Sequence, residues 1–281
     1  MRLDRSVVLT GRRGEIPSGI KEVPPRTILG LPMLERTILT ASQAGVREFI
    51  LIGADAESGK AILASLGEDK RFQEKDKRLE YVPLSGLTDL VRRGGLRDRF
   101  WLMDGDVVFA PAVLEKAAQA DPGEDQDLLV VHSLEEGRPG QQPTIKTADD
   151  GRTITAFGGD AGGRAVSFAG AGLCSGETLT RLAGAFTKRG SVRLDADVLA
   201  ETFDPARTVA FDAGPDFCET VTSKASAKRA ERYLIGTARK PTDGFFSRNF
   251  NRYVSTFLTR QLPRSIFPRW RSASSSSSSG S

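Results

Sequence analysis

The stretch Phe100-Trp101-Leu102-Met103-Asp104-Gly105-Asp106-Val107-Val108-Phe109 constrains this chain more than any other, because an apolar run stops at Asp-Gly-Asp and a second apolar run follows at once. Residues 100–103 are too few and too aromatic for a helix of their own and read as a buried strand. In an open α/β sheet, ligands gather at the carboxyl ends of the strands, which is where Asp104 falls. If the strand continues, period-two alternation points Asp104 and Asp106 the same way, and Gly105 leaves room for a ligand against the backbone. Two converging carboxylates suit Mg²⁺, a hard cation that takes oxygen ligands and keeps company with phosphates. The other reading of the same residues is an Asp-Gly turn with both carboxylates in water.

The neighbouring segments supply the units of such a sheet. Ser6-Val7-Val8-Leu9-Thr10 reads as a strand running into Gly11-Arg12-Arg13-Gly14. Glycines let backbone N–H groups approach a phosphate and arginine forks onto its oxygens, so this loop is a candidate phosphate cradle; a solvated basic loop has the same composition. Residues 31–44 place Leu34, Ile38, Leu39 and Ala41 at helical spacing and end at Gly45, and Glu48-Phe49-Ile50-Leu51-Ile52-Gly53 is a second strand. Strand, loop, helix and strand within 53 residues make a βαβ unit on a parallel sheet.

Further helices are expected over 56–66, 88–92 and 110–120, with strands at Leu79-Glu80-Tyr81-Val82-Pro83-Leu84 and Asp127-Leu128-Leu129-Val130-Val131-His132. The one histidine, His132, has no catalytic partner in view and reads as structural. From Gly137 the pattern turns antiparallel: Thr144-Ile145-Lys146 and Thr153-Ile154-Thr155-Ala156-Phe157 flank an Asp150-Gly151 turn, and Ala165-Val166-Ser167-Phe168-Ala169-Gly170 enters a glycine-rich bend at 170–172. Helices over 177–186, 195–203 and 224–235 and a strand at 208–212 complete one mixed-sheet domain.

The net charge of +4 is unevenly spread. Residues 239–281 hold eight basic groups against the single acid Asp243, which leaves residues 1–238 mildly acidic. After the break at Lys240-Pro241-Thr242-Asp243-Gly244, the residues Phe246, Phe250, Tyr253, Val254, Phe257, Leu258 and Leu262 form one apolar stripe, with Arg248, Arg252 and Arg260 elsewhere on the helix. Such a basic amphipathic helix suits an anionic membrane surface or a partner beside it; a helix docked on the body is the other option. The aromatic residues lie on the apolar stripe, so no nucleic-acid partner is expected. The expected organisation is a domain over 1–238, a juxtamembrane segment over 239–271 and a disordered serine-rich tail over 272–281. No stretch approaches the roughly 20 apolar residues of a membrane span, no signal-peptide apolar region precedes the first strand, and Cys174 and Cys218 have no metal-type spacing. The expected setting is the cytoplasm, at the inner face of the membrane.

With these residues in hand, the chain resembles the sugar-phosphate-type nucleotidyltransferases, and among them the inositol-1-phosphate cytidylyltransferase domains that precede a CDP-alcohol phosphatidyltransferase in bifunctional di-myo-inositol-phosphate-phosphate synthases. The likeness runs through Val8 to Gly14, through Ile28-Leu29-Gly30-Leu31-Pro32-Met33-Leu34-Glu35-Arg36 against the family's V-G-G-x-P-L-L-x-R, and through Leu102 to Val108. Phe217-Cys218-Glu219-Thr220-Val221-Thr222, continuing to Ala230 and Leu234, follows W-x-D-x-D-T…A-x-x-x-L. The resemblance implies a Rossmann-like, GT-A-like α/β fold with a mixed, mostly parallel sheet. It implies Mg²⁺ held by Asp104, Asp106 and Glu219, and Arg13, Lys21 and Asp104 at the reacting phosphates. Leu9, Gly11, Arg12, Arg13, Gly14, Asp106 and Gly170 would surround the nucleotide.

The implied reaction moves CMP from CTP to inositol-1-phosphate or a related polyol or sugar phosphate and releases pyrophosphate. The phosphatidyltransferase half of the family's bifunctional members, with its Asp-rich motif and membrane spans, is not expected among these 281 residues. The chain also departs from the pattern, with glycine spacing lost in the loop, Lys21 or Arg26 near the family lysine, Glu219 for Asp, and Val221 at the second acid. A non-catalytic nucleotide-binding or scaffolding domain is therefore the alternative expectation.

Overall fold

The buried run that ends at Asp104 is central because both of its faces are covered. In the computed structural model the described residues are 3–10, 27–73, 77–94, 96, 98–120, 122, 123, 125–133, 143–158 and 162–238. The chain divides into two compact units, Met1–Tyr233 and Leu234–Ser281, and of the second only residues 234–238 are described.

In chain order the first half comprises β1 (Arg5–Leu9), a short hairpin of β2 (Thr27–Ile28) and β3 (Leu31–Pro32), α1 (Met33–Gln43), β4 (Glu48–Gly53), α2 (Ala56–Gly67), β5 (Arg78–Pro83), α3 (Leu87–Arg92), β6 (Phe100–Asp104), β7 (Val107–Phe109) and α4 (Pro111–Gln119). The second half comprises β8 (Asp127–Ser133), β9 (Thr144–Thr147), β10 (Ile154–Phe157), β11 (Arg164–Cys174), α5 (Gly176–Arg189), α6 (Ala196–Thr202), β12 (Thr208–Asp212), β13 (Cys218–Thr220) and α7 (Lys224–Ala238).

Nine strands form one mixed sheet. β5, β4, β1 and β6 lie side by side and parallel; β11 joins β6 antiparallel and carries β9 with β10 and β8 with β12. The expected mixed α/β sheet is the fold observed. Alternation along the central strands sends residues to opposite cores. Val7, Leu9, Phe100 and Leu102 pack on one face with α3, α5 and α6, while Val8, Trp101 and Met103 pack on the other with α1, α2 and α4. This double burial is why residues 100–103 are apolar without a break.

β1 has β4 on one side and β6 on the other, so the strand order reverses at the β1–β6 boundary. Crevices for ligands form at such a switch point, and the register puts Leu9 beside Asp104 at its carboxyl edge.

Three departures have local causes. β6 does not continue through Asp-Gly-Asp: Gly105 and Asp106 form a turn, and β7 leaves the main sheet to pair with β13. The strand expected to bend at 170–172 instead runs on to Cys174, because a shift in register around Gly170, at φ +86°, absorbs the irregularity while Ala171–Cys174 still pair with β6. The β2–β3 hairpin turns through Leu29 at φ +49° and Gly30 at φ +75°, the sign pattern of a type I′ turn.

Candidate active site

At the switch point the turn after β6 folds over the end of β1. The Gly105 amide donates to the Leu9 carbonyl at 2.8 Å. A Cβ on residue 105 would lie 2.6 Å from that same oxygen and 3.2 Å from Leu34 Cδ1. The glycine is therefore required by the chain's own backbone, whereas the sequence suggested room for a ligand. From α1, the Thr37 hydroxyl reaches the Val107 carbonyl at 2.9 Å and that of Gly105 at 3.2 Å, fixing the turn from below. Asp104 and Asp106 emerge half-buried at this edge, with the Asp106 amide 3.5 Å from Asp104 Oδ1. Because the strand stops between the two acids, the alternation that would point them the same way does not apply, and Asp104 Oδ1 faces the backbone amide of its own turn.

Glu219 comes to the same region from far along the chain. β13 pairs antiparallel with β7, placing Glu219 opposite Val108 and Thr220 opposite Val107. The Val221 amide then donates to the Asp106 carbonyl at 2.9 Å. On the other face of this small ribbon, the Thr220 hydroxyl is directed at the Ala169 carbonyl, 3.4 Å away, and a Cβ at Gly170 would meet it at 2.5 Å. Close packing of Thr220 accounts for glycine at 170.

The Glu219 carboxylate is engaged by the chain itself. Arg229 Nε lies 3.0 Å from each of its oxygens, and Arg229 Nη2 also donates to Oε1. The Glu219 side chain is only 8% exposed. α7 is aimed by Ser226, whose hydroxyl accepts from the Thr222 and Ser223 amides at 3.0 and 2.9 Å. One turn beyond Arg229, Tyr233 stacks on Phe217 with centroids 4.5 Å apart and planes 6° apart. Ser226, Arg229, Ala230 and Tyr233 fall at i, i+3, i+4 and i+7 on one face of α7. That spacing was the available signal for Arg229, which the sequence reading missed because nothing local marks which charge turns inward.

The remaining expected residues divide sharply. Leu9 lies beside Asp104 with its carbonyl committed to Gly105. Gly11, Arg12, Arg13, Gly14, Lys21 and Arg26 lie outside the described residues, as does the amphipathic stretch 245–262. His132 is half-buried on β8, paired in register with Ser167. Cys174 and Cys218 are buried, and burial pushes both thiols well up, which makes them unsuited to nucleophilic work. Arg36, which ends the stretch Ile28–Arg36, is buried and donates to the Ile28 carbonyl at 2.8 Å. Desolvation, with Arg71 nearby, lowers its pKa to about 10. It pins the β2–β3 hairpin to α1.

Among the described residues no three or more His, Cys, Asp or Glu side chains converge as a metal cage. Mg²⁺ does not need one, since it is ordinarily held by one or two carboxylates together with substrate phosphates and water. Asp104 and Asp106, half-buried at a strand end, fit that requirement; Glu219, covered by Arg229, is already neutralised.

The mixed, doubly wound sheet is shared with solved structures at TM-scores above 0.5. The inositol-1-phosphate CTP transferase of T. maritima superposes with a TM-score of 0.56 at 17% identity, over 82% of this chain and 94% of that one. A UDP-glucose pyrophosphorylase of Acinetobacter baumannii gives 0.58 at 14% identity, over 91% of this chain and 100% of that one. At such identities the likeness establishes the fold. No family model matches the sequence. In sequence, the chain is 25% identical over 280 residues to the bifunctional IPC transferase and DIPP synthase of Aquifex aeolicus (strain VF5). That match takes in 95% of this chain but only 60% of the relative, so the chain spans less than two thirds of it. Together these likenesses establish the fold and show which proteins the sequence is similar to.

Proposed function

We propose that this chain transfers a nucleoside monophosphate, CMP from CTP in the first instance, to inositol-1-phosphate or a related polyol or sugar phosphate. A phosphate oxygen of the acceptor attacks the α-phosphorus of the triphosphate, the bond between the α- and β-phosphates breaks, and pyrophosphate leaves. The position of Asp104 carries this reading: it is a carboxylate at the end of a fully buried parallel strand, at the point where the strand order reverses. A Mg²⁺ held by Asp104 and Asp106 would neutralise developing phosphate charge. The protein's own part is positioning. The Gly105–Leu9 and Thr37 hydrogen bonds hold the Asp-Gly-Asp turn in place before substrate arrives. Gly11 to Gly14 would cradle the triphosphate, with Arg13 and Lys21 at the reacting phosphates.

The test is pyrophosphate release across a panel of nucleoside triphosphates with inositol-1-phosphate and glucose-1-phosphate in the presence of Mg²⁺. CTP with inositol-1-phosphate should give the highest kcat/KM, and Asp104→Asn should lower it by at least ~100-fold while leaving the unfolding free energy within about 0.5 kcal/mol of wild type. Binding of CTP without turnover on any acceptor would replace this reading with a non-catalytic nucleotide-binding domain.

The product of such a reaction is a CDP-alcohol, and the stripe over 245–262 is the part of the sequence suited to a membrane surface where that product is used. Its arginines would meet anionic headgroups at about 1 kcal/mol each. Among the described residues no helix is long and apolar enough to cross a membrane. The intact chain should float with anionic liposomes and a version ending at Arg239 should not; equal behaviour of the two would remove the membrane role.

A further inference from the structure

The Glu219 carboxylate stands where the resemblance places a metal-ligating acid, yet the described structure gives it a different counter-charge. Arg229 meets it with Nε 3.0 Å from both oxygens and with Nη2 on Oε1, the forked geometry in which guanidinium and carboxylate match best. The pair is fixed from both sides, by the Ser226 hydroxyl at the start of α7 and by the Phe217–Tyr233 stack one turn further on. Register adds a second argument. The residue opposite Asp106 is Val221, buried and apolar, and Glu219 lies two positions further along β13, about 7 Å of strand away.

We infer that Arg229 is a built-in replacement for a divalent cation at Glu219, so that the metal is held from the Asp104 side alone and Glu219 is withheld from it. Arg229 acts through Glu219 and is a positioning residue. The inference rests on the proposed cation site at Asp104, and its consequence is specific. A cation reaching Glu219 must displace a guanidinium fixed in two-pronged contact, so Glu219 adds nothing to metal affinity until Arg229 is removed. Once Arg229 is gone, a buried carboxylate without its partner gains strongly from any cation.

The experiment titrates the full chain with Mn²⁺ alone and reads free Mn²⁺ by electron paramagnetic resonance. Wild type and Glu219→Gln should bind with the same affinity within about two-fold, whereas Arg229→Met should bind at least ~10-fold more tightly. The gain should vanish in the Arg229→Met/Glu219→Gln double variant, and Arg229→Lys should stay near wild type because an ammonium still neutralises Glu219. Thermal unfolding supplies a second readout: saturating Mn²⁺ should raise the Tm of Arg229→Met by more than it raises that of the double variant. A purely structural ion pair would lower the Tm of Arg229→Met without changing Mn²⁺ affinity. Weakened Mn²⁺ binding in Glu219→Gln, or unchanged affinity in Arg229→Met, overturns the inference. If Arg229→Met fails to fold, Arg229→Gln, which removes the charge but keeps a polar side chain, carries the same titration and the same expected gain. Asp104→Asn separates the two readings: loss of binding there, without the pattern at 219 and 229, removes this inference and leaves the cation site in place.

Discussion

Residue 105 tolerates no side chain because the Leu9 carbonyl occupies the place of its Cβ, and residue 29 carries a side chain where the backbone would prefer none. Leu29 adopts φ +49° in the β2–β3 turn, at the position of the first glycine in the motif it resembles. A left-handed conformation costs an ordinary L-residue about 1–2 kcal/mol, and Asn-Gly is the favoured pair for this turn. Leu29→Asn should therefore raise stability by about 1 kcal/mol in urea unfolding. An unchanged or lowered midpoint would mean that the half-buried leucine side chain recovers the cost through packing. The same scale explains what was illegible at the site: Gly105 is visible in any reading, but the atom that demands it is a carbonyl 96 positions upstream.

Single elements carry their own pH dependence. The turn joining β9 to β10 is closed by Asp150, which accepts from the Arg152 and Thr153 amides at 2.8 Å each and from the Thr153 hydroxyl at 2.6 Å. The Thr153 hydroxyl bond, then the backbone bonds, hold this carboxyl below its usual range. Because the folded value is the lower one, the turn is fully supported above the ordinary carboxylate pKa of about 3.9 and loses that support only as pH falls through the folded value. Amide resonances of Arg152 and Thr153 followed by NMR should therefore move below the ordinary carboxylate range. Titration at the ordinary value would show that the carboxylate does not hold the turn. This hairpin was legible because Asp-Gly turn chemistry is local. β13 was not, since three residues paired with a strand about 110 positions away carry no periodicity of their own.

For the whole molecule, the two cysteines report on cooperativity. Cys174 and Cys218 sit in the two separate cores on opposite faces of the sheet, and burial disfavours the thiolate of each. A thiol reagent at pH 8 should label neither in the native protein and both together on unfolding, at the rate of global opening. Labelling of Cys218 alone would show that the β7–β13 side opens by itself.

The sequence by itself determined the parallel strands, their helices and the antiparallel later half, because burial on one or both faces writes a period into consecutive residues. It also placed Asp104 at a strand end, since the apolar run stops there. Tertiary structure alone decided that the strand turns at Gly105, that Thr220 closes on Gly170, and that Glu219 meets Arg229 on α7. Those outcomes depend on atoms brought together by packing from distant parts of the chain, and proximity of that kind leaves no pattern in neighbouring residues.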